Sequence, residues 1–267
     1  GGDAADQIYD MKATSDGGYI IGGTSSSNIS SEKSQSNRGS DDYWVVKIES
    51  IGTLEWDVTY GGSGNDRLEA IVIASDGGYL LGGTSSSGAN FDKSDPNCGG
   101  SNNMWVVKIS SNGTKEWDKT IGATGATYLY DAISTNDGGF LLGGQVTSNA
   151  SCDKCETSRG ASDYWIYKMT LDGTKEWDRR FGSNDLDIFY ALQQTSDGGF
   201  LLSGGSEAEL ASGDKTEDAK FQARTNPTEG ENFWVVKTDS RGNLQWDKTV
   251  GSYNGDTLFV PSLYREE

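Results

Sequence analysis

Short apolar runs alternate along the chain with polar breaks marked by glycine, at a fixed period. Tyr19-Ile20-Ile21, Tyr79-Leu80-Leu81, Phe140-Leu141-Leu142 and Phe200-Leu201-Leu202 each follow Asp-Gly-Gly, at spacings of 60, 61 and 60 residues. Their apolar residues are consecutive rather than alternating, which predicts strands buried on both faces. Asp-Gly and Gly-Gly supply the positive φ of a tight hairpin turn. Each run is therefore the second strand of a hairpin whose first strand lies just upstream, as in Arg67 to Ala74 or Tyr128 to Thr135. The glycine pair that closes the run, Gly22-Gly23 in the first copy, implies close approach of another backbone.

Two more signatures keep the same period. Tyr43-Trp44-Val45-Val46-Lys47 returns at Met104 to Lys108, Tyr164 to Lys168 and Phe233 to Lys237, each time after a long polar loop, and predicts a third strand. Short turns carrying Gly52, Gly113, Gly173 and Gly242 lead into a fourth. There Leu54, Trp56, Val58 and Tyr60 alternate with Glu55, Asp57 and Thr59, and Glu55-Trp56-Asp57 recurs as Glu116-Trp117-Asp118, Glu176-Trp177-Asp178 and Gln245-Trp246-Asp247. Lys119, Arg179 and Lys248 enter the apolar face in later copies, which marks an outermost, wetter strand. All eight tryptophans belong to these two signatures.

A four-stranded antiparallel unit with a buried inner pair and a wetter outer pair is what a β-propeller blade requires. The expected fold is all-β, one propeller domain with blades at 1–60, 61–121, 122–181 and 182–250; an open β solenoid of the same units is the rival. Gly251, Asp256 and Leu258 repeat Gly61, Asp66 and Leu68, so 251–267 is expected to form a partial fifth strand or cap, with Pro261 at a sheet edge. Gly1 already begins a repeat, which suggests a mature or excised segment without its targeting sequence.

The joint pattern Asp-Gly-Gly-Tyr-Ile-Ile-Gly-Gly-Thr-Ser, Asp-Tyr-Trp-Val-Val-Lys and Glu-Trp-Asp resembles the tandem repeats of secreted cell-surface proteins of Bacteroidota, many of which end in a type IX secretion sorting domain. The resemblance covers essentially the whole chain. It implies a propeller-like, adhesin-like surface module and little about activity; the sorting domain itself is missing here.

Charge and composition narrow the function. Forty Asp and Glu against 22 Lys and Arg leave a net charge of -18, which disfavours nucleic acid and anionic membrane as partners. No run approaches the roughly 18 apolar residues of a membrane span. With no histidine, Ser-His-Asp, Cys-His and His-zinc chemistries are excluded. Carboxylate-pair glycoside hydrolysis stays open, but the acidic residues recur with the repeat whereas a catalytic pair is singular. The expectation is a non-catalytic extracellular or cell-surface module that binds a glycan or a surface protein. A structural or assembly component of a larger surface complex is the alternative, and an acidic glycoside hydrolase the third reading.

Candidate contacts follow. The long loops carry acidic-Lys pairs (Glu32-Lys33, Asp92-Lys93, Asp153-Lys154, Asp214-Lys215), read as ordered turns or as binding residues. The fourth loop, 206–232, is longest, and its Lys220, Phe221 and Arg224 are expected to carry specificity. Trp56, Trp117, Trp177 and Trp246 either stack on sugars or pack on the next blade. Asp6, Asp66, Asp187 and Asp256 precede the first strands, with Thr127 the exception; they either hold Ca²⁺ around a channel or cap their own turns. No other cofactor is expected. The preferred disulfide is Cys152–Cys155 within one loop, with Cys98–Cys152 as the alternative; either suits an oxidising compartment.

Overall fold

The computed structural model describes residues 1–220 and 232–251. Sixteen strands fill these residues without a helix. The first sheet comprises β1 (Asp6–Ala13), β2 (Tyr19–Ser25), β3 (Asp42–Ile48) and β4 (Leu54–Tyr60). The second comprises β5 (Asp66–Ile73), β6 (Tyr79–Ser85), β7 (Asn103–Ile109) and β8 (Lys115–Ile121). The third comprises β9 (Thr127–Ser134), β10 (Phe140–Val146), β11 (Asp163–Met169) and β12 (Lys175–Phe181). The fourth comprises β13 (Asp187–Gln194), β14 (Phe200–Ser206), β15 (Asn232–Thr238) and β16 (Leu244–Val250). Every sheet is an antiparallel meander in chain order. The four sheets are arranged as blades in a propeller-like array. The strand expected from 251–267 lies, apart from Gly251, outside the described residues.

One lock repeated in every blade explains why three motifs recur together. The lysine of the third strand is buried, and its Nζ lies between two carboxylates. Lys108 Nζ is 2.8 Å from Asp76 of the Asp-Gly-Gly turn and 2.9 Å from Glu116 of the fourth strand. Lys47 sits in the same way between Asp16 and Glu55, and Lys168 between Asp137 and Glu176. In the fourth blade Gln245 replaces the glutamate and accepts from Lys237 at 3.1 Å. A second clasp joins Trp to Asp: the Nε1–H of Trp44, Trp105, Trp165 and Trp234 donates to Asp57, Asp118, Asp178 and Asp247 at 2.9–3.0 Å. The acidic residues of Glu-Trp-Asp are thus engaged by the third strand, although the glutamates keep one side towards water.

The cores lie between blades. One combines Tyr43 and Val45 with Leu68, Ile71 and Trp105; a second joins Met104 and Val106 to Leu129 and Trp165; a third joins Tyr164 and Ile166 to Phe189 and Trp234. The first strands β1, β5, β9 and β13 neighbour one another in sequence and form the inner edge. Among the described residues no such core joins the fourth blade to the first. Within the described residues the blades form an open arc.

Trp105 is fully buried, its indole N–H is used, and its ring lies 4.8 Å from that of Tyr43. Trp105→Ala is expected to cost about 3–5 kcal/mol, read as a fall in denaturation midpoint with an unchanged m value. A midpoint within error of the parent would place this ring outside the core.

Candidate functional site

The long loops between the second and third strands share one rim with the connections from blade to blade. Each has a buried lysine at its base that supplies hydrogen bonds the loop backbone would otherwise lack. Lys33 Nζ donates to Gln35 O at 2.6 Å and to Thr59 Oγ1 at 2.8 Å, and Lys93 Nζ to Asp95 O at 2.6 Å and Asn97 Oδ1 at 3.1 Å. Burial lowers the affinity of all four loop lysines for their proton, that of Lys93 to about 8.

The acidic neighbour clamps the connection into the blade. Gly61 N–H donates to Asp92 Oδ2 at 3.2 Å while Asp92 N–H donates back to Gly61 O at 3.1 Å. Gly122 with Asp153 and Gly182 with Asp214 repeat the reciprocal pair. In the first blade Glu32 accepts from the N-terminal amine of Gly1. The acidic-Lys pairs are therefore the fixed bases of the loops.

What these bases hold up is strained and exposed. The residue before each acid adopts a left-handed φ: Ser31 at 47°, Phe91 at 50°, Cys152 at 52° and Gly213 at 62°. Phenylalanine rarely occupies this region, yet Phe91 does so with 70% of its surface exposed. Ile29 and Leu210, on the first and fourth loops, are exposed as well. Sequence reasoning passed over Phe91, although an aromatic where the other copies carry Ser, Cys and Gly was a visible signal.

Cys152, at the position of Phe91 in the third blade, is bonded to Cys98 of the second, with Cα atoms 6.4 Å apart. The expected Cys152–Cys155 staple is thereby corrected. Cys155 points away to the fourth strand of its own blade, where its N–H donates to Asp178 and its thiol stays free and exposed. The bridge joins two neighbouring loops and closes 54 residues.

The Asp residues before the first strands act within their own blades. Asp66 accepts from Gly62 N–H at 2.6 Å and Ser87 Oγ–H at 2.8 Å, and also from Ser85. Asp187 accepts from Ser183 N–H at 2.6 Å, and Asp6 from Gly2 N–H at 2.5 Å and Ser25 Oγ–H at 2.6 Å. Among the described residues no three Asp, Glu or Cys side chains are grouped as metal ligands. Asp256 lies outside those residues, as do Phe221 and Arg224 of the fourth loop. Lys220 is described, and it pairs with Glu217 at 3.2 Å. Trp56, Trp117 and Trp177 press on the β3–β4-type turns of the following blades, at Gly113, Gly173 and Gly242, whereas Trp246 is exposed on the end of the array.

One carboxylate stands apart. The first strands bulge at Tyr9, Glu69, Tyr130 and Tyr190. Glu69 is the only acid in that set. Its Oε1 lies 2.8 Å from Arg67 Nε, and the Arg67 guanidinium covers the Tyr9 ring at 4.6 Å. Burial outweighs Arg67 and pushes the Glu69 carboxyl up to about 7. Burial likewise lifts Asp42 and Asp187 to about 6.

The chain matches no protein-family model and no curated protein. Among solved structures it is similar to a protein of unknown function from Bacteroides caccae, with 9% identity and a TM-score of 0.44, covering 91% of this chain and 81% of the other. It is also similar to Kuenenia stuttgartiensis hydrazine synthase, with 11% identity and a TM-score of 0.39, covering 93% of this chain and 67% of the other.

Two outcomes follow from this geometry. Because the folded pKa of Glu69 is raised, its carboxyl carries no penalty while protonated in both states, and stability is lost as pH rises from its unfolded value towards 7. Glu69→Gln should flatten the loss between pH 5 and pH 8 by roughly 2 kcal/mol; parallel stability curves for parent and variant would show that Glu69 is not buried as an acid. Alkylation without reductant should label Cys155 alone. Reduction should lower stability by up to about 4 kcal/mol, the loop-closure value for a bridge of this span. Three labelled thiols before reduction would contradict the bridge.

Proposed function

We propose that the chain is a non-catalytic binding module of a secreted or cell-surface protein, and that the loop rim engages a glycan or a protein. The observation that carries this reading is Phe91. An exposed aromatic held at a left-handed φ on a loop whose base is fixed by Lys93 and Asp92 is a stability cost with no structural return. Strain of that kind collects at functional sites. Ile29 and Leu210 extend the apolar character to other loops of the rim. The Cys98–Cys152 bridge supports an oxidising, extracellular setting. The likeness of the repeats to Bacteroidota surface proteins supports an adhesin-like role and a type IX route. A rigid rim with an aromatic anchor suits a partner bound with little ordering cost.

The assembly reading has its own support in the apolar surfaces left open at both ends of the arc. A non-catalytic role is supported by the repeated carboxylates, which are committed to lysines, tryptophans and turns.

Phe91→Gly separates binding from structure, because glycine takes the left-handed φ without strain. The variant should melt about 2 °C higher, corresponding to ~1 kcal/mol of released strain. It should also lose at least tenfold in apparent affinity on a glycan array or against the surface proteins the parent captures. Full-strength binding by Phe91→Gly would exclude this rim contact.

A further inference from the structure

The two ends of the arc carry the residue types that the internal junctions bring together. At each internal junction a blade presents a leading face to the trailing face of the next. The tryptophan of the fourth strand covers a turn glycine. A Cβ built on Gly113, Gly173 or Gly242 would lie 3.1, 3.2 or 2.7 Å from Trp56, Trp117 or Trp177. The first blade has the equivalent glycine, Gly52, at a φ of 85° where the other three lie at 82°, 82° and 76°, and no described atom lies within 4 Å of its Cβ position. The fourth blade has the same tryptophan, Trp246, 49% exposed and, among the described residues, with no glycine beneath it. Ile8 and Met11 stand where Leu68 and Ile71 are fully buried in the second blade, yet they are 74% and 56% exposed. Val250, 51% exposed, stands where Ile121 is buried.

The junctions are of two kinds, and the free ends match one of them. From first to second blade, and from third to fourth, Tyr43 and Tyr164 donate to the carbonyls of Trp105 and Trp234 at 2.9 and 3.1 Å. At the same junctions Asp10 and Asp131 accept from Ile71 and Leu192 N–H at 2.8 and 2.9 Å. From second to third blade the tyrosine is Met104, the aspartate is Ala70, and Lys119 Nζ donates to Gly173 O at 3.0 Å. The leading face of the fourth blade carries Phe233, Ala191 and Lys248 at these three positions, the second-to-third pattern. Ser203 agrees. A Cβ at Gly22 or Gly143 would sit 2.3 Å from Leu68 or Phe189, but at Gly82, in the second blade, the nearest atom is 3.3 Å away. Only that looser junction admits a serine.

We propose that two copies of the chain join head to tail, the fourth blade of each seated on the first blade of the other, to close a ring of eight blades. Trp246 then covers Gly52 of the other copy, and Lys248 reaches its carbonyl as Lys119 reaches Gly173. A pairing between unlike faces closes only if rotation returns to the start, and eight blades fall within the range that propellers span. Among the described residues both open faces are then used. This inference does not depend on the loop-rim reading.

Sedimentation velocity and native mass spectrometry of the 267-residue chain should give twice 28.6 kDa. Met11→Glu and Trp246→Glu, both at exposed positions, should each be folded monomers by circular dichroism and sedimentation. Mixing the two should restore dimers, because the mixture has one intact junction. Ending the chain at Gly251 should leave the dimer in place. A parent that stays monomeric, dimers that survive both substitutions, a mixture that fails to associate, assemblies beyond two copies, or a dimer lost on shortening would each overturn the proposal.

Discussion

The structure rests on the burial of one lysine per blade. An ammonium taken out of water is costly unless its charge and donors are met. Here Lys108 meets Asp76, Glu116 and the carbonyl of Ile109. The carboxylates remain about 40% exposed, so water still solvates one side of the ion set. That arrangement fixes the Asp-Gly-Gly turn, the third strand and the fourth strand relative to one another. The Trp–Asp clasp one pleat away fixes their register a second time. A sheet held at two points cannot slip by one residue without exposing its whole apolar set. The second strand, which has a glycine pair at its centre in the first three blades and Ser203-Gly204 in the fourth, depends on this external register.

Energetically the array is a line of nearest neighbours. Apolar surface is buried mainly between blades, so each blade is incomplete without the next, as in solenoid repeats. The reciprocal bonds between connector glycines and loop acids add a polar seam along the rim, and the Cys98–Cys152 bridge reinforces it between the middle blades. The end blades have one neighbour each. Local opening should start there and leave the middle pair to last.

The fold was legible because each motif served a backbone need that leaves a trace: glycine for turns, alternation for the wet strand, tryptophan for the core. All four blades and their strand order follow from that trace, whereas whether Trp56, Trp117 and Trp177 face a ligand or the next blade does not. The site was less legible. Phe91 differs from its counterparts only in one letter, and its significance lies in φ, which a single letter does not report. Glu69 was hidden by a bulge that turns its side chain into a crowded inner edge. The disulfide failed for a spatial reason: Cys152 and Cys155 are near in sequence, but the turn between them points one to the neighbouring blade and the other to its own fourth strand.

The alternation of junction types has a consequence for how such chains change length. With Tyr43 and Asp10 in the first blade, Tyr164 and Asp131 in the third, and Met104 and Ala70 in the second, the packing repeat is the blade pair, not the blade. Loss or gain of one blade would seat a leading face on a trailing face fitted to the other kind, Gly22 for instance losing the close packing of Leu68 and Ile71. Removal or duplication of a pair leaves every junction as it was. A change by an even number of blades therefore keeps every contact in kind, and a change by one does not.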